Sequence, residues 1–269
     1  MTWVIGTSCN FGYGILVSDI QVTYEDENQL RHIDVLQKVY HVGNHIVAGF
    51  AGSVSIGFKL IKDLNLFPPV GYENYYVNPY EIAENWPKRS QKIFREAPKE
   101  EQECGAEILM VAACPSDEGA FGGDKICIIK FSSPDFIPVI KDKVDDILNI
   151  GCGAYVEEYI EAIKNLPPSP HPFRDPTLLA EIRHPGVNAP AFARYLFNQV
   201  QANPQKGISK NLHIATISSN KIMIGNNNMG VCYPGKERVE LKMPQVAQSY
   251  EELSHMLNTR GIKRSAVRC

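Results

Sequence analysis

The sequence predicts an α+β fold in which strands and helices occur in separate blocks. Along its 269 residues, apolar runs typical of strands alternate with pairs of segments in which apolar residues recur at helical spacing. The strand segments are rich in β-branched residues but alternate poorly, which is typical of sheets covered on both faces. Two sheets packed together, with paired helices outside, would bury every apolar face. We therefore expect a layered plan and not alternating βαβ units.

The predicted strands are short apolar runs bounded by glycine, asparagine, proline or other polar residues. The first two flank a Gly/Asn-rich turn at 10–14 and are expected to form a hairpin. The polar segment 24–32 is predicted to be a loop. The strands are expected at residues 3–9, 15–23, 35–42, 45–50, 107–113, 125–131, 136–140, 212–217 and 221–224.

The predicted helices combine helical apolar spacing with recognisable start signals. Ser53 and Ser249 are N-cap candidates, and Glu252 follows Ser249 at capping-box spacing. Pro87 is expected to bend or divide the helix in which it lies. The helices are expected to begin after residue 53, to cover 79–97, to follow the Gly-Cys-Gly segment 151–153, to cover 190–202 and to begin after residue 249.

Length and composition predict one domain over residues 1–269. The chain is 44% hydrophobic and 21% charged, as in globular proteins with a substantial core, and it shows neither a linker nor an internal repeat. Six prolines fall within about 166–187, so this segment is expected to be an irregular insertion.

Charge and cysteine content restrict the expected partners. A net charge of -3 and a pI near 6.2 argue against nucleic-acid or anionic-membrane binding. No apolar run approaches the roughly 20 residues of a membrane span. The seven cysteines are scattered without a C-x-x-C pair, which favours a reducing compartment over a disulfide framework or a zinc site. A cytoplasmic location is therefore expected.

Thr2 is the first candidate catalytic residue. Methionine is removed efficiently before a small residue, and the chain would then begin with threonine. An N-terminal threonine combines a hydroxyl nucleophile with its own α-amino group as general base, and the amine pKa of about 7.7–8.0 lies near working pH. Many chains begin with Met-Thr, so this interpretation depends on the residues that accompany Thr2.

Asp19 and Lys38 each place a charge inside an otherwise apolar strand segment. A buried charge is costly unless it is paired, so we expect an ion pair between them across adjacent strands. An ammonium near Thr2 would lower the pKa values of its hydroxyl and amine and assist proton transfer. A purely structural Asp–Lys pair is the alternative. Small residues at 47–53 would let a substrate backbone approach, and the N–H of Gly49 could hold an oxyanion.

Taken together, these motifs resemble the proteasome β-type peptidases, and most closely the bacterial HslV-like and ancestral-β-like members. The likeness covers residues 2–165 and resumes near residue 212. It rests on Thr2, Ser-Asp-x-Gln-Val-Thr at 18–23, Gln-Lys-Val at 37–39 and Ala-Gly-Phe-Ala-Gly at 48–52, and less specifically on 106–113, 125–131 and 149–154.

The resemblance implies the N-terminal-nucleophile fold, a four-layer αββα sandwich, and threonine-type endopeptidase activity. Thr2 would then be both the nucleophile and the amine base. Lys38 would tune it, Asp19 would orient Lys38, and the oxyanion donor would be Gly49. Cys152 stands where the family has a serine near the amine, and a thiol is a weaker hydrogen-bonding partner.

The implied substrate is an extended peptide or an unfolded protein held by added-strand hydrogen bonds. Its binding residues would be Val22, Thr23, Val47 and Ala51, with the apolar side chains lining a pocket for the residue before the cut. Members of the family act inside oligomers, so a homo-oligomeric ring is implied. No cofactor or metal is expected, because neither a phosphate-binding glycine loop nor a metal-spaced histidine pair occurs. Any ATP dependence would come from a separate unfoldase.

The sequence departs from the family pattern in ways that leave two alternatives open. One extra residue separates Thr2 from Asp19, and Ser209 lacks the aspartate expected before it. One alternative is a catalytically silent structural subunit that retains Met1. The other is a small-molecule amidohydrolase of the same class, with a pocket capped by residues 166–186.

Overall fold

The computed structural model describes residues 2–9, 13–26, 29–66, 77–114, 125–165, 189–218, 221–226 and 244–262. Within these residues the strands are β1 Val4–Cys9, β2 Tyr13–Asp19, β3 Gln21–Asp26, β4 Gln29–Asp34, β5 Val39–His41, β6 Ile46–Gly52, β7 Ala106–Cys114, β8 Lys125–Ser132, β9 Val139–Lys141, β10 Ile147–Ile150, β11 Leu212–Ser218 and β12 Lys221–Asn226. The helices are α1 Val54–Asn65, α2 Pro79–Asn85, α3 Pro87–Arg95, α4 Lys99–Glu103, α5 Glu157–Lys164, α6 Ala189–Ala202 and α7 Tyr250–Thr259.

The strands form two five-stranded antiparallel sheets and one separate hairpin. The first sheet has the order β10-β1-β2-β11-β12, and the second has the order β5-β6-β7-β8-β9. In the sequence, the hairpin β3–β4 follows β2 of the first sheet and precedes β5 of the second. The chain therefore leaves the first sheet at the end of β2, forms the hairpin and then enters the second sheet.

The two large sheets pack face to face. Val4 and Leu16 of the first sheet share a buried cluster with Leu109 and Val111 of the second. Burial of each such side chain stabilises the fold by roughly 1.5–3 kcal/mol. Gly14 permits the close approach, because a Cβ at this position would lie 2.5 Å from Cγ1 of Val111.

Helices cover the outer faces of both sheets. Leu60 of α1 and Leu253 of α7 share a buried cluster with Phe131 of β8. On the other side, Tyr159 of α5 stacks on Trp3, which immediately precedes β1, with ring centroids 4.4 Å apart. The described residues thus form a mixed α and β structure with three antiparallel sheets and seven helices.

The local start and stop signals act as the sequence predicts. The hydroxyl of Ser53 accepts a hydrogen bond from the N–H of Ile56, and that of Ser249 accepts one from the N–H of Glu252. Pro87 occupies the first turn of α3, directly after Trp86 ends α2. The predicted N-caps and the predicted division at Pro87 are therefore confirmed.

Several predicted boundaries are wrong. Residues 24–32, predicted to be a loop, belong largely to the hairpin β3–β4. All six residues of β4 are exposed or half-buried, so no apolar run marks the strand. The predicted strand 35–42 is reduced to β5, and 136–140 pairs only from Val139. The short elements β10 and α4 were not predicted.

Some predictions lie beyond what the structure describes. The Pro-rich segment at about 166–187 lies within residues 166–188, which the structure does not describe. The assignment of residues 1–269 to one domain stays a prediction. None of the helices in the described ranges combines the length and the apolar character needed to cross a membrane.

Candidate active site

Thr2, Asp19 and Lys38 meet in the interior of the protein, where all three are fully buried. Nζ of Lys38 donates to Oγ1 of Thr2 at 2.7 Å and to Oδ1 of Asp19 at 3.1 Å. A third hydrogen bond goes to the carbonyl oxygen of Gln21 at 2.5 Å. Since an ammonium has three donors and no acceptor, every hydrogen of Lys38 has an oxygen partner.

The ion pair forms between different elements from those predicted. Asp19 ends β2 in the first sheet, whereas Lys38 immediately precedes β5, an edge strand of the second. The expectation of adjacent strands is therefore wrong, and the pair joins the two sheets. The segment before Lys38 is held in place because the N–H groups of Val35 and Leu36 both donate to the carbonyl oxygen of Ile20.

The carboxylate of Asp19 is held by backbone amides as well as by Lys38. Oδ1 also accepts from the N–H of Trp3 at 3.0 Å. Oδ2 accepts from the N–H of Gln21 at 3.0 Å and from that of Ser209 at 3.4 Å. Donors of this kind stabilise a carboxylate strongly in a buried environment. Asp19 is thus fixed as an acceptor for Lys38.

The backbone of Thr2 is held by the segment that precedes α5. The N–H of Gly153 donates to the carbonyl oxygen of Thr2 at 3.0 Å. Gly151 has φ +79°, and a Cβ there would lie 2.4 Å from the same oxygen. Cys152 lies between them in the 3₁₀ turn Cys152–Tyr155, with an exposed free thiol. Its predicted place near the amine of Thr2 stays a prediction.

Gly49 lies inside β6, opposite Val39 of β5 and Leu109 of β7. The neighbouring N–H of Phe50 donates to the carbonyl oxygen of Lys38 at 3.3 Å. Because successive amides in a strand point to opposite edges, the Gly49 N–H is directed toward β7. The N–H of Gly49 therefore does not point toward Thr2. The role of Gly49 as oxyanion donor stays a prediction.

The predicted substrate-binding residues are buried but do not share one cluster. Val22 belongs to the cluster beneath α1 and α7, whereas Val47 and Ala51 belong to the cluster between the sheets. The hydroxyl of Thr23 lies 2.9 Å from Nδ1 of His32 on the adjacent strand β4. A common apolar pocket formed by these residues stays a prediction.

A group of polar residues around Asp19 was not recognised from the sequence. The carboxylate of Asp34, at the end of β4, accepts hydrogen bonds from the side chains of Gln21, Ser209 and Asn211. Ser209 stood out in the sequence only as a serine without its expected aspartate. Asp34 and Asn211 carry no local signal, because a polar residue at a strand end is common.

His213 is a further buried polar residue beside the site. It lies on β11 directly opposite Ser18 of β2. Burial, reinforced by the charge of Lys38, lowers the pKa of His213 to about 4, so its ring is neutral at neutral pH. Neither its Nδ1 nor the hydroxyl of Ser18 has a hydrogen-bond partner within the described structure.

No known protein-family model matches the chain, and no curated protein matches it, so the chemistry of the site is inferred from its geometry. In the described ranges, no cluster of three or more histidine, cysteine or acidic residues is arranged to hold a metal ion. The site is a buried hydroxyl beside a buried ammonium, and this arrangement suits nucleophilic chemistry at Thr2.

Proposed function

We propose that this chain is a threonine-type peptidase of the N-terminal-nucleophile class. The observation that carries the proposal is the 2.7 Å hydrogen bond from Nζ of Lys38 to Oγ1 of Thr2. A buried ammonium at this distance stabilises the negative charge that develops on the hydroxyl oxygen as its proton leaves. The residue that receives this contact is the one whose own amine is released when the Met1–Thr2 bond is cut.

The layered arrangement supports the same assignment. Helices cover one sheet, that sheet packs on the second, and further helices cover the second sheet. We propose that this is the four-layer αββα sandwich of N-terminal-nucleophile hydrolases. Thr2 lies just before β1 and Asp19 ends β2 of one sheet. Lys38 precedes β5 of the other sheet, so the packing of the two sheets assembles the site.

In the proposed reaction, the freed α-amine of Thr2 accepts the hydroxyl proton while Oγ1 attacks the carbonyl carbon of the scissile bond. The tetrahedral intermediate collapses, the C–N bond breaks, and the amine proton passes to the leaving amine. Water then gives a proton to the α-amine and attacks the carbonyl carbon of the ester on Thr2. The bond between this carbon and Oγ1 breaks, Oγ1 takes the proton back from the amine, and the acid is released. Lys38 stabilises the charge at Oγ1 during both steps, and Asp19 holds Lys38. The hydroxyl, buried in the structure, must become accessible to substrate.

A peptide substrate is supported by the edge of β6. This strand continues to Gly52. β5 pairs with it as far as Gly49, the N–H of Phe50 still donates to the carbonyl oxygen of Lys38, and no other described strand pairs with the last two residues, Ala51 and Gly52, on that edge. An extended peptide could add a strand there. We propose peptides or unfolded proteins as substrates and a homo-oligomeric ring as the working assembly, with any ATP dependence supplied by a separate unfoldase.

The proposal is tested by intact mass after treatment with a peptide epoxyketone, which requires a hydroxyl and a free amine on the same N-terminal residue. The chain is prepared as a cleavable fusion, so that Thr2 is the first residue. We expect one adduct per chain, located at Thr2, together with cleavage of an unstructured protein into peptides.

The matched variants are Thr2→Ala, which should form no adduct, and Thr259→Ala on α7, which should react like the parent. A folded chain with a free Thr2 that neither forms the adduct nor cleaves peptides would contradict the proposal. Adduct formation without peptide cleavage would point to the small-molecule amidohydrolase alternative. Retention of Met1 on the natural chain would favour the silent structural subunit.

A further inference from the structure

Asp34 does not belong to the group formed by Thr2, Lys38 and Asp19. Its hydrogen-bond partners, however, include residues that also bind Asp19. Its Oδ1 accepts from Nε2 of Gln21 at 2.9 Å. Its Oδ2 accepts from Oγ of Ser209 at 2.5 Å and from Nδ2 of Asn211 at 2.6 Å. An ionised carboxylate is an acceptor only, so it matches three converging donors in a way that an amide side chain cannot.

Two of these three partners are the residues that bind Oδ2 of Asp19. The backbone N–H groups of Gln21 and Ser209 donate to that oxygen. The carbonyl oxygen of Gln21 also accepts from Nζ of Lys38. The side chains that Asp34 holds therefore belong to the same residues whose backbones hold Asp19 and Lys38.

The position of Ser209 depends on Asp34 more strongly than the position of Gln21 does. It lies between α6 and β11 in a segment without regular secondary structure, and it is separated from Asp34 by 175 positions in the sequence. Its side chain is buried, and its hydroxyl also accepts from the N–H of Asn211 at 2.9 Å. Asp34 thus anchors this irregular segment through two hydrogen bonds, whereas Gln21 is also fixed by its pairing in β3–β4.

We propose that Asp34 is a positioning residue, which holds the amides of Gln21 and Ser209 against Asp19 and thereby fixes Asp19 toward Lys38. Charge-assisted hydrogen bonds in a partly buried network are strong and directional, so one carboxylate can set two amide positions. Asp34 touches neither Thr2 nor Lys38 in this network. Its effect on the reaction rests on the proposed function, but its effect on the amides does not.

The test uses the full chain with Thr2 as first residue and compares Asp34→Asn with Asp135→Asn, the same change at an exposed aspartate. Amide hydrogen exchange is followed at Gln21, Ser209 and Trp3. The N–H of Trp3 also bonds Asp19, but through Oδ1 and without Asp34, so it serves as an internal control. In Asp34→Asn we expect exchange at Gln21 and Ser209 to accelerate on the order of tenfold and exchange at Trp3 to accelerate less, because Asp34 reaches Trp3 only through Asp19.

The second readout is epoxyketone modification of the same proteins. We expect Asp34→Asn to lower the maximal rate of modification on the order of tenfold and to leave the half-saturating concentration nearly unchanged, because the substrate does not contact Asp34. Ser209→Ala removes the hydrogen bond from this side chain to Asp34 without changing the charge, and should accelerate exchange of the backbone amide at position 209. It replaces Asp34→Asn if that variant fails to fold.

The outcomes separate this inference from the proposed function. If Ser209 and Gln21 lose protection but the parent chain forms no adduct, the positioning role stands and the peptidase assignment falls. If the parent reacts while exchange and the maximal rate are unchanged in Asp34→Asn, the positioning role is overturned and the peptidase assignment stands. Equal acceleration at Trp3, Gln21 and Ser209 would show a general structural role and would also overturn the inference.

Discussion

At the scale of single residues, Lys38 connects the parts of the candidate site. Its side chain is fully buried and donates to the hydroxyl of Thr2, the carboxylate of Asp19 and the carbonyl of Gln21. A buried ion pair does not by itself guarantee net stability, because removing two charges from water is costly. Removing one partner is worse, because the other remains buried and unpaired. Loss of Lys38 should therefore affect both the stability of the fold and the environment of the Thr2 hydroxyl.

We predict that Lys38→Ala abolishes modification and hydrolysis at Thr2 and lowers the free energy of unfolding by about 3–5 kcal/mol, because Asp19 loses its counter-charge. Urea denaturation and epoxyketone labelling measure the two effects. Lys92→Ala is the control. Lys92 forms an exposed ion pair with Glu96, so its removal should change the free energy of unfolding by at most about 0.5 kcal/mol.

The double variant Lys38→Met with Asp19→Asn separates the two consequences of losing Lys38. It removes both buried charges, so we expect it to be more stable than Lys38→Ala and to remain inactive. Measurable activity in either variant would show that Lys38 is not needed for the chemistry at Thr2.

At the scale of elements, the turn before α5 sets the position of Thr2. Gly151 has φ +79° and ψ -177°, a conformation that is essentially restricted to glycine, and its N–H donates to Oε2 of Glu107 on β7 at 2.7 Å. Two residues later, Gly153 donates to the carbonyl oxygen of Thr2. The turn at residues 151–153 thus links β7 of the second sheet to Thr2, the residue proposed as nucleophile, through two hydrogen bonds.

We predict that Gly151→Ala lowers the free energy of unfolding by at least about 3 kcal/mol and reduces labelling of Thr2, because the new Cβ would meet the Thr2 carbonyl oxygen at 2.4 Å. Gly261→Ala is the matched control. Gly261 has a similar φ of +73°, but no atom of the described residues lies within 4 Å of its added Cβ, so only the backbone strain of about 1 kcal/mol is expected. Equal losses in the two variants, measured by urea denaturation, would argue against the steric role of Gly151.

At the scale of the whole molecule, the fold buries polar groups between its two sheets as well as apolar ones. Thr2, Ser18, Asp19, Lys38 and His213 are all buried. Lys38 and Asp19 bind each other, whereas Nδ1 of His213 and the hydroxyl of Ser18 have no hydrogen-bond partner within the described residues. The surroundings of His213 also keep its ring neutral at neutral pH. Folding therefore changes the proton affinity of this group, and the stability of the whole protein must depend on pH.

We predict that His213 makes the protein less stable as the pH falls from about 6.5 to about 4. Its pKa is about 4 in the folded protein against 6.5 in the unfolded chain, so between these values the unfolded state binds more protons. Above pH 6.5 the ring is neutral in both states and costs no stability. Protonation of the unfolded chain below this pH lowers the free energy of unfolding, by about 3 kcal/mol in all.

Urea denaturation at several pH values tests this dependence in the parent protein, in His213→Gln and in the control His255→Gln, which changes an exposed histidine. The loss between pH 6.5 and 4 should be smaller in His213→Gln and unchanged in the control. The same pH dependence in His213→Gln as in the parent protein would exclude His213 as its source.

The sequence by itself determined the block order of strands and helices, the caps at Ser53 and Ser249 and the division at Pro87, because these depend on local backbone chemistry and on the period of apolar residues. It also selected Thr2, because this small residue follows Met1, and Asp19 and Lys38, because a charge inside an apolar segment needs a partner. The hairpin β3–β4 escaped prediction, since a polar, exposed strand carries no periodic signal.

Only the tertiary structure decided how these residues meet. It placed Asp19 and Lys38 on different sheets, turned the amide of Gly49 toward β7, and brought Asp34 to Ser209 across 175 positions in the sequence. Local propensity extends over a few residues, whereas such contacts are set by how two sheets pack and by which edge each amide faces. Neither property is encoded in any single segment, so both arise only when the complete core has formed.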